Sequence, residues 1–292
     1  MSDQMYTQAR QVSLAISNSN VRYTIATLVT DRDQYNALLQ SFEQGGFGAD
    51  DCEFIYIDNS KSNTVCAYQG LNQLLDQARG DYVILCHQDV FLLSDGREVL
   101  DERLEQLTRH DPNWAVAGNA GGVAPSKLAL RITDGHGANY QVGEYPERVQ
   151  TLDENFLVVR RAARVGFSND LTGFHLYGAD ICIAADIMGY TAYVIDFHLH
   201  HLSKGKKSDD FDACEARLRD KYRNAFRDRI LQTTCTLLFV SSSRIGHVLG
   251  GWIGPLGWRW IKRLPGARGW TPDRAEPIGS CMAPAGSDGA GQ

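Results

Sequence analysis

Gly80-Asp81-Tyr82-Val83-Ile84-Leu85-Cys86-His87-Gln88-Asp89-Val90 is the stretch that decides the fold. Tyr82 to Cys86 form an unbroken apolar and aromatic run that ends abruptly in three polar residues. Such a run, without polar alternation, predicts a strand buried on both faces. Upstream, Val65, Tyr68, Leu71, Leu74, Leu75 and Ala78 recur at helical spacing, with Gly80 as the stop. The preceding unit repeats this plan. Tyr23–Val29 reads as a first strand closed by Thr30-Asp31-Arg32-Asp33, and Tyr35, Leu38, Leu39 and Phe42 mark a helix that stops at Gly45-Gly46. Phe54-Ile55-Tyr56-Ile57 is then a second strand ending in Asp58-Asn59-Ser60. Alternating buried strands and amphipathic helices predict an α/β fold, a mostly parallel sheet flanked by helices, with ligands beyond the carboxyl ends of the strands.

Two polar exits therefore hold the chemistry to be expected. Asp58 is placed to accept hydrogen bonds from a nucleotide base or ribose edge, and Asp-Asn-Ser reads equally as a turn cap. Asp89 follows a strongly apolar strand, where its carboxylate can hold a hard divalent cation against phosphate oxygens. His87, two residues earlier, lies on the same side of an extended chain.

Farther on, Leu100, Leu104 and Leu107 predict a helix and Trp114–Ala117 a strand leading into Gly118-Asn119-Ala120-Gly121-Gly122. That glycine run lacks a dinucleotide fingerprint and reads as an acceptor-side loop. Phe156–Val159 and Tyr193–Asp196 predict further strands, with a helix between Gly166 and Gly189 and a long charged helix over Asp209–Ile230. His198, His200 and His201 form the histidine cluster; in an extended segment the first two face one way and His201 the other. The basic loop Ser203-Lys204-Gly205-Lys206-Lys207-Ser208 is placed either to fold over a diphosphate, led by Lys204, or to sit in solvent.

The joint order of Thr27-Leu28-Val29, Tyr56-Ile57-Asp58-Asn59-Ser60, Gly80 to Val90, Tyr177-Gly178-Ala179-Asp180 and His200-His201 resembles the GT-A glycosyltransferases of the family 2 type, in the bacterial branch carrying His-Gln-Asp-Val. The resemblance covers about residues 21 to 208. It implies the GT-A (nucleotide-diphospho-sugar transferase) fold and transfer of a sugar from a nucleotide-diphosphate donor, with a UDP-sugar expected, to an acceptor hydroxyl. His87-Gln88-Asp89 takes the place of the Asp-x-Asp motif, so Asp89 matches its second carboxylate and His87 replaces the first. Asp180 matches the general base of inverting members, with Ala179 where relatives carry glutamate. His201, ahead of His200, matches the late histidine that completes the shell of a divalent cation, Mn²⁺ or Mg²⁺. Asp153 and Glu154 fall where relatives place donor or acceptor contacts, and rank below Asp180. A glycan or lipid-linked acceptor and a role in surface polysaccharide synthesis follow from the resemblance alone.

Composition bounds the rest. The chain has 292 residues, 43% hydrophobic and 22% charged, with a formal charge of −6 and no basic run in its first 200 residues, which sets nucleic acid aside as a partner. Seven scattered cysteines without a C-x-x-C pair read as reduced thiols. The organisation expected is a polar leader over 1–20, the catalytic domain over 21–231, a basic Trp-containing segment over 232–270 and a disordered tail over 271–292. The polar start lacks the apolar core of a signal peptide, so the catalytic part is expected in the cytoplasm. Between Arg244 and Gly269 there are five basic residues, no acidic ones and three tryptophans, which suggests peripheral contact with an anionic membrane at its inner face. The glycines and Pro255 there argue against one long interfacial helix. A nucleotidyltransferase would share the sheet and the metal carboxylate but would want a glycine-rich loop after the first strand. A noncatalytic nucleotide-sugar binding protein would explain His87 and Ala179 in place of acidic residues.

Overall fold

The computed structural model describes residues 20–48, 50–203, 209–233 and 237–261. Most of the leader, the basic loop with Lys204, the cations Lys262, Arg263 and Arg268, and the tail over 271–292 lie outside the described residues. The chain divides into two compact units between Arg219 and Asp220.

In the first unit β1 (Tyr23–Val29), α1 (Arg32–Phe42), β2 (Cys52–Asp58), α2 (Ala67–Gln77) and β3 (Tyr82–Cys86) follow in the order that the periodicity predicts. β1 pairs in parallel with both β2 and β3. Asp31 starts α1 by accepting hydrogen bonds from the backbone N–H groups of Asp33 and Gln34. α2 has no side-chain cap and is held by burial of Tyr68, Leu71 and Leu74.

The chain continues through β4 (Val90–Leu92), α3 (Arg97–His110), β5 (Trp114–Gly118), β6 (Ala120–Ala124), β7 (Lys127–Thr133), β8 (Asn139–Val142), β9 (Glu147–Val149), β10 (Thr151–Leu152), β11 (Phe156–Arg160), α4 (Tyr177–Ile187), β12 (Thr191–Val194) and β13 (Leu199–His201). Seven strands form the main sheet in the order β2-β1-β3-β11-β5-β12-β9. The fold is α/β, with helices on both faces, and the sheet is mixed: β11 runs antiparallel to β3 and β5, and β9 antiparallel to β12. A strand buried on both faces has the same apolar pattern in either direction, so Phe156–Val159 gives no sign of its polarity.

A second sheet, in the order β10-β6-β7-β13-β4 with β8 on β7, occupies the region where periodicity is weak. Gly118 to Gly122, expected as a loop, instead leaves β5 and enters β6. Glycine is required there by proximity, since a Cβ at Gly121 would lie 2.4 Å from the Thr151 carbonyl oxygen.

Side-chain alternation in the central strands feeds two cores. Val83, Leu85, Leu157 and Val159 pack with α2 and α4, whereas Ile84, Cys86, Phe156 and Val158 pack with α1 and α3. Each fully buried Leu, Ile or Phe contributes about 1.5–3 kcal/mol by leaving water. This rigid double-sided sheet fixes the β3 and β11 ends that carry the site.

α5 (Asp209–Ala225) crosses the division between the units and stops short of the expected Ile230. In the second unit, β14 (Arg229–Gln232) and β15 (Leu237–Val240) form an antiparallel hairpin, followed by α6 (Arg244–Ile261). The expectation that glycines and Pro255 break this segment is corrected: α6 is one helix of 18 residues. Gly250 serves packing instead, for it lies against β15, where a Cβ would come within 2.7 Å of the Phe239 carbonyl oxygen. No helix of the described residues is long and apolar enough to cross a membrane.

Candidate functional site

β3 ends at Cys86, and the chain turns at once, with the Val90 N–H donating to the His87 carbonyl (3.3 Å). The His87 N–H donates across to the Asn155 carbonyl (3.0 Å), tying the turn to the start of β11. Antiparallel pairing of β13 with β4 sets His201 opposite Val90, and the Leu202 N–H donates to the Asp89 carbonyl (3.0 Å). Register alone therefore brings His201 to Asp89. His201 Nε2 lies 3.4 Å from Asp89 Oδ1 and 3.4 Å from His87 Nδ1.

The candidate ligand atoms of His87, Asp89 and His201 all lie within 4.8 Å of one another. A cation bonded at about 2.1 Å to each would separate neighbouring ligands by about 3–3.4 Å, so the spacing fits one ion. Two imidazoles, which are borderline donors, beside one hard carboxylate suit Mn²⁺ and its softer neighbours better than Mg²⁺.

Tyr177, the first residue of α4, completes this group. Its hydroxyl oxygen is 2.6 Å from His87 Nε2 and 3.3 Å from the Glu154 carbonyl oxygen. One proton arrangement satisfies every partner: His87 Nε2–H donates to Tyr177, the Tyr177 hydroxyl donates to Glu154 O, and Nδ1 keeps its lone pair for a metal. Burial of His87, reinforced by the charge of His201, holds its pKa below the ordinary value and keeps the ring neutral. Burial opposes ionisation of Asp89, but the His201 contact and the charge of that ring outweigh it and leave the carboxyl below its usual range.

Glu154 lines the same cleft as Asp89, alongside Thr30, Leu28, Phe174 and Tyr177. Burial, and then the charge of Asp153, pushes its carboxyl up to about 8; the N–H groups at the start of α4 pull the other way. The close approach depends on Gly178, whose N–H is 3.4 Å from Glu154 Oε1 and where a Cβ would lie 2.2 Å from the Leu152 carbonyl oxygen. Gln88 has a mechanical task. Its Oε1 accepts from the N–H groups of Thr30 and Asp31 (2.7 and 2.9 Å), clasping the β1 exit loop to the turn.

The remaining expected residues are placed elsewhere. Asp180, expected as the base, is fully buried: Oδ2 accepts from the Ser168 N–H and Oδ1 from the Ser168 hydroxyl, both at 2.7 Å. It anchors the segment before α4 and does not line the cleft. Asp58 accepts from Ser60 N–H and Oγ–H and from Arg32 (2.6 Å), contacts that hold it at about 2. Asp153 caps its own turn through Asn155. Lys204 lies outside the described residues. His198 binds Thr133 (2.8 Å), consistent with its facing away from His201.

Sequence reasoning ranked Glu154 below Asp180 and gave Tyr177 no task of its own. The available signal was that Glu154 sits in a polar turn, Asp153-Glu154-Asn155, before an apolar run, and that Tyr177 directly precedes Gly178. Distance from Asp89 in the chain hid their convergence.

No family model matches the chain. Among solved structures it is similar to the mannosyltransferase PcManGT from Pyrobaculum calidifontis in complex with GDP-Man and Mn²⁺, with a TM-score of 0.47 and 14% identity over 72% of this chain and 66% of that one. It is also similar to S. aureus TarS, with a TM-score of 0.44 and 12% identity over 87% of this chain and 50% of that one. A197 from STIV gives a TM-score of 0.39 at 10% identity, over 63% of this chain and 87% of that one. In sequence, the ATP synthase subunits region ORF 6 protein of Fuscovulum blasticum is 40% identical over 219 residues, which are 73% of this chain and 88% of that protein. The chain belongs to the family of that protein.

Proposed function

We propose that this protein is a GT-A glycosyltransferase that moves a sugar from a nucleotide-diphosphate donor, a UDP-sugar in the first instance, to a hydroxyl of a glycan or lipid-linked acceptor with inversion. The observation that carries this reading is the convergence of His87, Asp89 and His201 with Glu154 and Tyr177 in one cleft at the carboxyl end of β3. That is where open α/β sheets bind nucleotides.

In this reading His87 Nδ1, Asp89 and His201 Nε2 hold a divalent cation, Mn²⁺ in preference to Mg²⁺. When bound, the ion supplies Lewis-acid stabilisation to the donor diphosphate. Gln88 keeps the β1 loop in place beside the donor, and Asp58 with Arg32 borders the nucleotide end. The base is Glu154 in place of Asp180, because a proton acceptor must reach the acceptor hydroxyl and, with Asp89 given to the cation, Glu154 is the other carboxylate lining the cleft. Ionised Glu154 takes the hydroxyl proton, the acceptor oxygen bonds to the anomeric carbon, and the bond from that carbon to the diphosphate oxygen breaks with its electron pair leaving on the nucleotide.

The test is calorimetry of UDP, GDP and CDP on the full chain with Mn²⁺, Mg²⁺ or chelator, followed by release of nucleoside diphosphate from the matching sugar donors. Metal-dependent selection of one nucleotide with turnover supports the reading. Binding without turnover or hydrolysis would favour a noncatalytic nucleotide-sugar binding protein, and no binding of any nucleotide would remove the donor site.

A further inference from the structure

α6 carries an apolar stripe that faces outward. Ile245, Val248, Leu249, Trp252 and Leu256 recur at steps of three, one, three and four residues, and at 3.6 residues per turn they fall within an arc of about 100°. All five are exposed, Trp252 at 70% and Ile245 at 76%. Gly246 and Gly250 lie on the other side and are buried, against Ser241 and Phe239 respectively. These two glycines let the helix sit close on the hairpin, and the five apolar groups of the stripe are left to solvent. Arg259 continues the exposed stripe and Arg244 flanks its start. No acidic residue occurs between Asp228 and Asp273.

We infer that this face of α6 is a docking surface for an anionic lipid bilayer, on which the helix lies in the plane of the interface. A stripe of Leu, Ile, Val and Trp bordered by arginines matches the acyl boundary and the phosphate layer of such a surface. A second copy fits less well, since a two-fold pairing of the stripe on itself would bring its arginines toward one another. The chain's own carboxyl-terminal residues fit poorly too: they begin Lys262-Arg263 and supply few large apolar groups. The inference stands apart from the glycosyl-transfer reading, because it concerns residues of the second unit only.

The test is flotation of the full chain with vesicles of phosphatidylcholine alone and of phosphatidylcholine with phosphatidylglycerol, at low and high salt. Its variants are Leu249→Ser/Trp252→Ser and Arg259→Glu, with circular dichroism confirming the fold and light scattering the oligomeric state. The expected result is binding to the anionic vesicles that weakens with salt, falls by about tenfold or more in the double variant and falls less in Arg259→Glu. Absence of wild-type binding to anionic vesicles would overturn the inference, as would equal binding by the folded double variant. A dimer that the double variant dissolves, without vesicle binding, would assign the face to self-association instead.

Discussion

His87 Nε2 and the Tyr177 hydroxyl oxygen stand 2.6 Å apart, although 90 residues separate them in the chain. This contact ties the turn after β3 to the first residue of α4 and fixes which ring nitrogen of His87 is left for a cation. A ligand histidine oriented by its second nitrogen binds metal more tightly than one free to rotate.

Tyr177→Phe removes that partner while keeping the ring packed against Tyr68 and Phe167. The expected outcome is Mn²⁺ affinity lower by about 10–100-fold with a thermal midpoint close to that of the parent. Titration of Mn²⁺ followed by electron paramagnetic resonance checks it. Unchanged affinity would mean that Tyr177 does not orient His87.

Asp89→Ala removes the one carboxylate of the cluster and is expected to abolish metal-dependent nucleotide binding. In the parent, Mn²⁺ should support binding at lower concentration than Mg²⁺, because two of the three donors are imidazoles. Calorimetry with each ion decides both points, and equal nucleotide affinity in the variant with and without chelator counts against the site.

Glu154 carries a pH signature. Its carboxyl titrates at about 8 in the folded chain against an ordinary value of 4.5, so the folded state binds the extra proton between those limits. The contribution of Glu154 to stability is therefore greatest below the lower limit, falls as pH rises through the window and levels off above the upper one. Glu154→Gln should match the parent near pH 4.5 and exceed it near pH 9 by about 2–5 kcal/mol, as urea titrations at both values would show. The same variant should bind donor but lose transfer. A stability difference independent of pH would contradict the raised carboxyl.

Asp180→Asn tests the division of labour between the two acids. The amide replaces one of the two oxygens that accept from Ser168, and the expected cost is about 2–3 kcal/mol of stability, measured by urea unfolding. Transfer per folded molecule should persist. Full stability with lost transfer would return the base role to Asp180.

The first half of the fold is legible because each element has a local signature. Tyr82–Cys86 is apolar throughout, α2 repeats at helical spacing, and Asp31 caps α1 through bonds within its own turn. Asp89 could be singled out for the same reason, as the acid that ends a buried strand. From Gly118 to Asn155 the pattern fades, because short antiparallel strands paired with distant partners leave little periodicity in any one segment. Gly121 looks like a loop residue until Thr151 is seen packed against it.

The sequence by itself determined the α/β class, the strands and helices through β3, and the polar turn His87-Gln88-Asp89, since all of these rest on apolar periodicity and on bonds between near neighbours. Only the tertiary structure decided that β11 runs antiparallel, that Asp180 is buried against Ser168 while Glu154 lines the cleft with Asp89, and that α6 presents Ile245, Val248, Leu249, Trp252 and Leu256 outward. Those outcomes depend on burial and on strand register across long sequence separations, and a residue's neighbours in the chain carry no record of what will pack against it.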